Sequence, residues 1–148
     1  MLDDAGIKYY NASVVAYESI FNKKHPERVD EVRKAIALFA DPDNYPIVFH
    51  CAIGTDRTGT IALLLQGLLG VDNVEVYKNY YLSWFAACIS EDVDSRVNSF
   101  FQTYNKLSRY VSKDRSLAEN TEAFLLSIGV TQEEIDSIRS IMIEYPEE

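Results

Sequence analysis

The sequence predicts an α/β domain with a parallel sheet flanked by helices, and three observations predict it. "PIVFHC", from Pro46 to Cys51, is a continuous apolar run bounded by a proline and a polar loop. That is the pattern of a strand buried on both faces. "GIKYYNAS", from Gly6 to Ser13, is rich in β-formers and enters a loop. Between them, "HPERVDEVRKAIALFA" places Val29, Val32, Ile36 and Phe39 at helical spacing. The order strand–helix–strand reads as a parallel crossover unit.

Each element follows from local chemistry. Asn11 to His25 is a connection without clear periodicity. Pro26 suits a first helical turn, where its missing N–H costs nothing. "DPDNYP" is a turn cluster before the second predicted strand. Thr58 to Leu69 reads as a helix stopped by Gly70, and Val74 to Ile89 as an aromatic-rich helical stretch. Val93, Val97, Phe100, Tyr104, Leu107 and Val111 form a stripe at helical spacing, the mark of a core face rather than a binding groove. Leu117 to Ile128 ends at Gly129, and "TQEEIDSIRSIMIE" opens with a capping box, Thr131 with Glu134. The C-terminal two thirds is therefore helix-rich. Two strands make a poor sheet, so further strands are expected from a hidden segment or from elsewhere.

Composition narrows the functional classes. The chain has 148 residues, 47% of them apolar, which suits one globular domain over 1–148 with a sizeable core. A formal net charge of −9 disfavours non-specific attraction to nucleic acid or to anionic membrane. The two cysteines, Cys51 and Cys88, are far apart, so no disulfide framework is expected and a reducing compartment is the default. "MLDDAGIK" carries no signal-peptide pattern, and a cytoplasmic location is expected, with secretion by another route left open. The longest apolar run, Ile61 to Val71, is broken by Gln66 and Gly67 and is too short for stable membrane insertion. No metal-ligand spacing is present, and no cofactor is implied.

The chemistry concentrates in "HCAIGTDRTG", from His50 to Gly59. The predicted strand delivers Cys51, and a helix follows the short loop Ala52-Ile53-Gly54-Thr55-Asp56. Unpaired N–H groups at a helix start, joined to a turn-shaped loop, form a concave anion site. Gly54 permits backbone geometry closed to other residues. A cysteine at the base of such a cup feels the helix dipole and a nearby guanidinium, both favouring thiolate, the nucleophilic form. Arg57 offers a planar fork that fits two phosphate oxygens. The Thr58 hydroxyl can hydrogen-bond to the sulfur and assist its departure. Together these residues form a nucleophile, an oxyanion cradle of backbone amides from Ala52 to Arg57, and a charge clamp. The implied reaction is phosphoryl transfer to sulfur followed by hydrolysis.

This loop resembles the signature of cysteine-dependent protein tyrosine phosphatases, His-Cys-x5-Arg-Ser/Thr-Gly. Its Asp-Arg-Thr-Gly ending is similar to a microbial subgroup acting on phosphoproteins and phosphoinositides, whose usual loop is His-Cys-x-x-Gly-Lys-Asp-Arg-Thr-Gly. Thr55 stands where that lysine is common. "LLLQGLLGVDNVEVYKNYYLS" and "FLLSIGVTQEEIDSIRSIMIE" resemble the subgroup's later helices, with Asn79 where an aspartate often precedes Tyr80. The resemblance runs from about Gly6 to Ile143, but only the loop is highly specific. It implies a phosphorylated protein or phosphoinositide substrate. It also implies further N-terminal sheet strands, which a second copy or a partner would have to supply.

Such a phosphatase needs a proton donor for the leaving oxygen. Ligands of an α/β sheet gather at the carboxyl ends of its strands. Asp3, Asp4, Asp41 and Asp43 precede the predicted strands and fall at the other end. Asp56 is thus the expected acid, and then the activator of water, with Glu18 as the alternative; the competing reading has Asp56 orient Arg57 or a backbone amide. His50 reads as a supporting residue hydrogen-bonded inside the fold. Cys88 reads as core, and Lys23 and Lys24 as a solvated face or an attractor for anionic substrate. "GTDRTGT" overlaps a nucleotide-binding phosphate loop, but Thr60 occupies the obligatory lysine position. The remaining alternative is a catalytically impaired phosphate-binding module that completes its fold by association.

Overall fold

The computed structural model describes residues 6–85 and 93–143. Its elements are helices: α1 (Pro26–Ala37), α2 (Asp56–Leu68), α3 (Asn73–Leu82), α4 (Val93–Leu107), α5 (Leu117–Ser127) and α6 (Gln132–Met142). Short 3-10 turns lie at Tyr17–Phe21, Leu38–Ala40, Pro42–Asn44 and Ser83–Phe85.

Helix α2 is the centre of the packing. It touches α1, α3, α4, α5 and the Tyr17–Phe21 turn. Its Thr60, Ile61, Leu63, Leu64, Leu65, Gly67 and Leu68 are all buried, so it is apolar around most of its circumference, as a core helix must be. At Gly67 a Cβ would stand 2.5 Å from Thr121 Oγ1, so α5 approaches the α2 backbone too closely for any side chain there. The C-terminal end of α2 is tied by Arg139 of α6, which donates to the Leu68 carbonyl at 3.3 Å and pairs with Glu122 of α5 at 2.7 Å.

The helical expectations hold where capping and spacing are local. Val32 and Ile36 of α1 are fully buried, and Phe39 follows in the adjoining turn. Phe100, Tyr104 and Leu107 of α4 are buried, whereas Val93 and Val111 at the ends of the predicted stripe are 40% and 51% exposed. Phe100 stacks on Tyr80 of α3 at 3.7 Å between centroids, which locks α3 to α4. Thr131 and Glu134 form the expected capping box at α6, and Ser116 and Glu119 form another at α5.

The predicted parallel sheet is absent: no strand occurs among the described residues, and the fold there is all-helical. Both predicted strands, around Gly6–Ser13 and Pro46–Cys51, are irregular, with no strand partner among the described residues. The run expected to be buried is exposed, with Val48 at 89% and Tyr9 at 73%. Ile47 and Ala12 pack partly on the core, and Phe49 meets Phe39 edge-on at 5.4 Å. The physical reason is that β-propensity reports fit to a paired, half-buried surface. A ladder needs a neighbour for its hydrogen bonds, and no strand lies beside either run among the described residues. No helix of the described residues is long and apolar enough to cross a membrane.

One polar side chain organises the link between α4 and α5. Asn120 is fully buried. Its Oδ1 accepts from the N–H groups of Val111 at 2.8 Å and Ser112 at 3.2 Å, and its amide donates to the carbonyls of Ser108 and Ser112, both at 2.9 Å. Removing it leaves partly buried backbone groups without partners. Asn120→Ala is expected to lower unfolding free energy by about 2–4 kcal/mol, measured by urea denaturation. A loss under ~0.5 kcal/mol would show that water replaces these bonds at no cost.

Candidate active site

The loop before α2 is short and bent from Ala52 to Thr55, and α2 begins at Asp56, two residues earlier than the spacing predicts. Gly54 has φ +77°, a left-handed conformation that residues with a Cβ resist, and here it turns the chain into the helix. The Gly59 N–H bonds to the Thr55 carbonyl at 2.9 Å, the first rung of the helix. The N–H groups before it have no helical partner. Thr55 is fully buried, with its hydroxyl unpaired.

Cys51 is a free, half-buried thiol at the base of this loop. Burial pushes its pKa up, but the Thr58 hydroxyl and the backbone N–H groups of Thr58, Ile53 and Gly54 more than offset this, bringing the thiol down to about 7. The Thr58 hydroxyl is buried without a hydrogen-bond partner among the described residues, close enough to the thiol to favour its ionised form. The source of the shift is therefore convergent hydrogen bonding; the expected guanidinium is not among the causes. Arg57 is exposed and keeps its donors unpaired among the described residues.

Asp56 does not turn to Arg57. Its Oδ1 accepts from the Tyr17 hydroxyl at 2.5 Å and its Oδ2 from Arg96 Nη1 of α4 at 3.0 Å. Tyr17 Oη also lies 2.9 Å from Tyr80 Oη of α3, which donates to the Arg96 carbonyl at 3.1 Å. The Tyr17 N–H bonds to Thr60 Oγ1 at 2.9 Å, and that hydroxyl donates to the Asp56 carbonyl at 2.9 Å. Glu18 pairs with Lys106 of α4 at 2.5 Å. His50 is exposed, its Nδ1 3.1 Å from the Cys51 carbonyl, rather than bonded inside the fold. Lys23 and Lys24 are exposed, and Cys88 lies outside the described residues. With no sheet in place, sorting carboxylates by strand ends has no frame.

A sequence profile of the tyrosine phosphatase family matches residues 5–144. The chain belongs to that family. A tyrosine-protein phosphatase of Nostoc commune is 51% identical over 37 residues, covering 25% of this chain and 13% of that protein. OCA1 of Debaryomyces hansenii, named as a candidate tyrosine-protein phosphatase, is 35% identical over 51 residues, covering 34% of this chain and 26% of that protein. The chain thus matches a minor part of the length of these curated relatives. No solved structure matches it.

Within this tyrosine phosphatase family member, the structure gathers Cys51, Gly54 and Thr58 around the sulfur. It adds Tyr17, Tyr80 and Arg96 around Asp56, residues the loop motif does not contain. Tyr17 lies in the aperiodic connection and Arg96 between stripe positions of α4, so neither carries a local signal.

The thiol is protonated and inert below its pKa and nucleophilic above it. Alkylation of Cys51 by iodoacetamide should therefore rise with pH through a midpoint near 7. Thr58→Ala removes a group that favours thiolate, so its midpoint should move upward, read by mass spectrometry of the modified peptide. A midpoint near the free-thiol value of about 8.5 in the unaltered protein would contradict the described convergence.

Proposed function

We propose that this domain, residues 1–148 read as one unit, is a cysteine-dependent phosphatase acting on phosphate monoesters. The observation that carries the reading is the placement of Cys51 at the base of a loop turned by Gly54, with nearby N–H groups lowering its thiol to about 7 and with the exposed Arg57 in the same loop unpaired among the described residues. The Cys51 thiolate attacks phosphorus, the bond to the leaving oxygen breaks, and a cysteinyl phosphate forms. Water then attacks phosphorus, the sulfur–phosphorus bond breaks, and inorganic phosphate departs. The Arg57 fork and the amides of Ala52, Ile53, Gly54, Thr55, Asp56 and Arg57 hold the non-bridging oxygens, where charge is greatest in transit. Thr58 stabilises the sulfur as it leaves.

Aryl phosphates, with phosphotyrosine in a protein as the natural form, are the proposed substrate class. Ile53 is 42% exposed within the loop and offers an apolar rim for a phenyl ring. The buried Thr55 puts no second cation beside Arg57, which disfavours a multiply phosphorylated headgroup.

The test is hydrolysis of p-nitrophenyl phosphate in the presence of a chelator. Its leaving oxygen is a stable anion, so it needs little help from a proton donor. Vanadate should inhibit, Cys51→Ser should abolish turnover, and Arg57→Ala should lower kcat/KM by roughly 100-fold or more. Full activity in Cys51→Ser would sink the mechanism. A wild-type protein that binds phosphate but turns nothing over would favour the non-catalytic alternative.

A further inference from the structure

Asp56 is a junction of the N-terminal connection, α2 and α4, and its contacts are not those of a group free to meet a substrate. A carboxylate only accepts hydrogen bonds. The single Tyr17 hydroxyl proton goes to Oδ1, at 2.5 Å. The 2.9 Å contact between the two tyrosines must then be donated by Tyr80, whose one proton is shared with the Arg96 carbonyl at 3.1 Å. Arg96 occupies Oδ2 at 3.0 Å. Both oxygens are thus already engaged, and both tyrosines serve the link between Asp56 and Arg96.

The backbone adds a second grip. Thr60, buried at 1% exposure, accepts from the Tyr17 N–H and donates to the Asp56 carbonyl. Tyr17 has φ +56°, a left-handed conformation for a residue with a bulky side chain. Such a conformation costs on the order of 1–3 kcal/mol and persists where its surroundings over-determine it. Here it lets one residue hold Asp56 by the side chain directly and by the carbonyl through Thr60. Burial pushes the Tyr17 hydroxyl well above the usual phenol range, with the Asp56 bond reinforcing it, so Tyr17 remains a donor.

We propose that Tyr17 and Arg96 are positioning residues for the Cys51 loop. Acting through Asp56, they fix the first turn of α2 so that its N–H groups and Thr58 converge on the sulfur. Asp56 is then an anchor of the loop, not the proton donor. This rests on the reading of Cys51 as the phosphatase nucleophile. The charged and titratable groups facing the junction are Tyr17, Tyr80 and Arg96, with His50 against the Cys51 carbonyl.

The experiment compares Arg96→Ala, Arg96→Lys and Tyr17→Phe in the full chain. It reads the pH midpoint of Cys51 alkylation, and kcat and KM over aryl phosphates of graded leaving-group pKa. Arg96→Ala should move the alkylation midpoint upward and lower kcat by about tenfold, equally across the series. Arg96→Lys, which retains a cationic donor, should recover part of both. Tyr17→Phe should shift both readouts in the same direction by less, and it carries the measurement if Arg96→Ala does not fold. A loss that grows with leaving-group pKa would overturn the proposal, because Asp56 would then be donating a proton. An unchanged midpoint would overturn it as well. If the wild-type chain hydrolyses no aryl phosphate, the phosphatase reading fails, while the alkylation midpoints still decide whether the two residues position the loop.

Discussion

Helix α2 has to be buried along its length and open at its first turn. Leu63, Leu64 and Leu68 are fully enclosed by neighbouring helices, while the N–H groups of the first turn lack helical partners and lie beside Cys51. The two demands meet within about one turn of chain. Burial makes the helix a rigid platform, and rigidity lets weak hydrogen bonds act together on one sulfur. A mobile loop would spread the same donors over many arrangements, and the thiol would keep its ordinary acidity.

The surrounding helices serve both demands. Helix α5 closes over Gly67, and Arg139 of α6 ties the far end at Leu68. At the near end, α3 and α4 are joined by the stacked Tyr80 and Phe100 rings, and the same pair of helices delivers the Tyr80 hydroxyl to Tyr17 and Arg96 to Asp56. Packing and polar contacts are therefore continuous: the aromatic stack that stabilises the core also sets the distance at which Arg96 reaches the loop. Arg57, next in chain to Asp56, is left exposed with its donors unpaired among the described residues.

What the sequence by itself determined is local. The loop from His50 to Gly59 is legible as a motif because Cys51, Gly54, Arg57 and Thr58 lie within one short stretch, where spacing along the chain is spacing in space. The same holds for the capping boxes at Ser116 and Thr131 and for the helical stops at Gly70 and Gly129, which depend on residues three or four apart. Tertiary structure decided the rest. Apolar runs at Gly6–Ser13 and Pro46–Cys51 have the composition of strands, but a strand exists only through its partner, and none is placed beside them among the described residues. Nor could the chain order reveal that Asp56 would be claimed by Tyr17 and Arg96, 39 and 40 residues away, rather than by the arginine beside it. Hydrogen bonds follow distance in space, and only the packing of α3 and α4 against α2 fixes that distance.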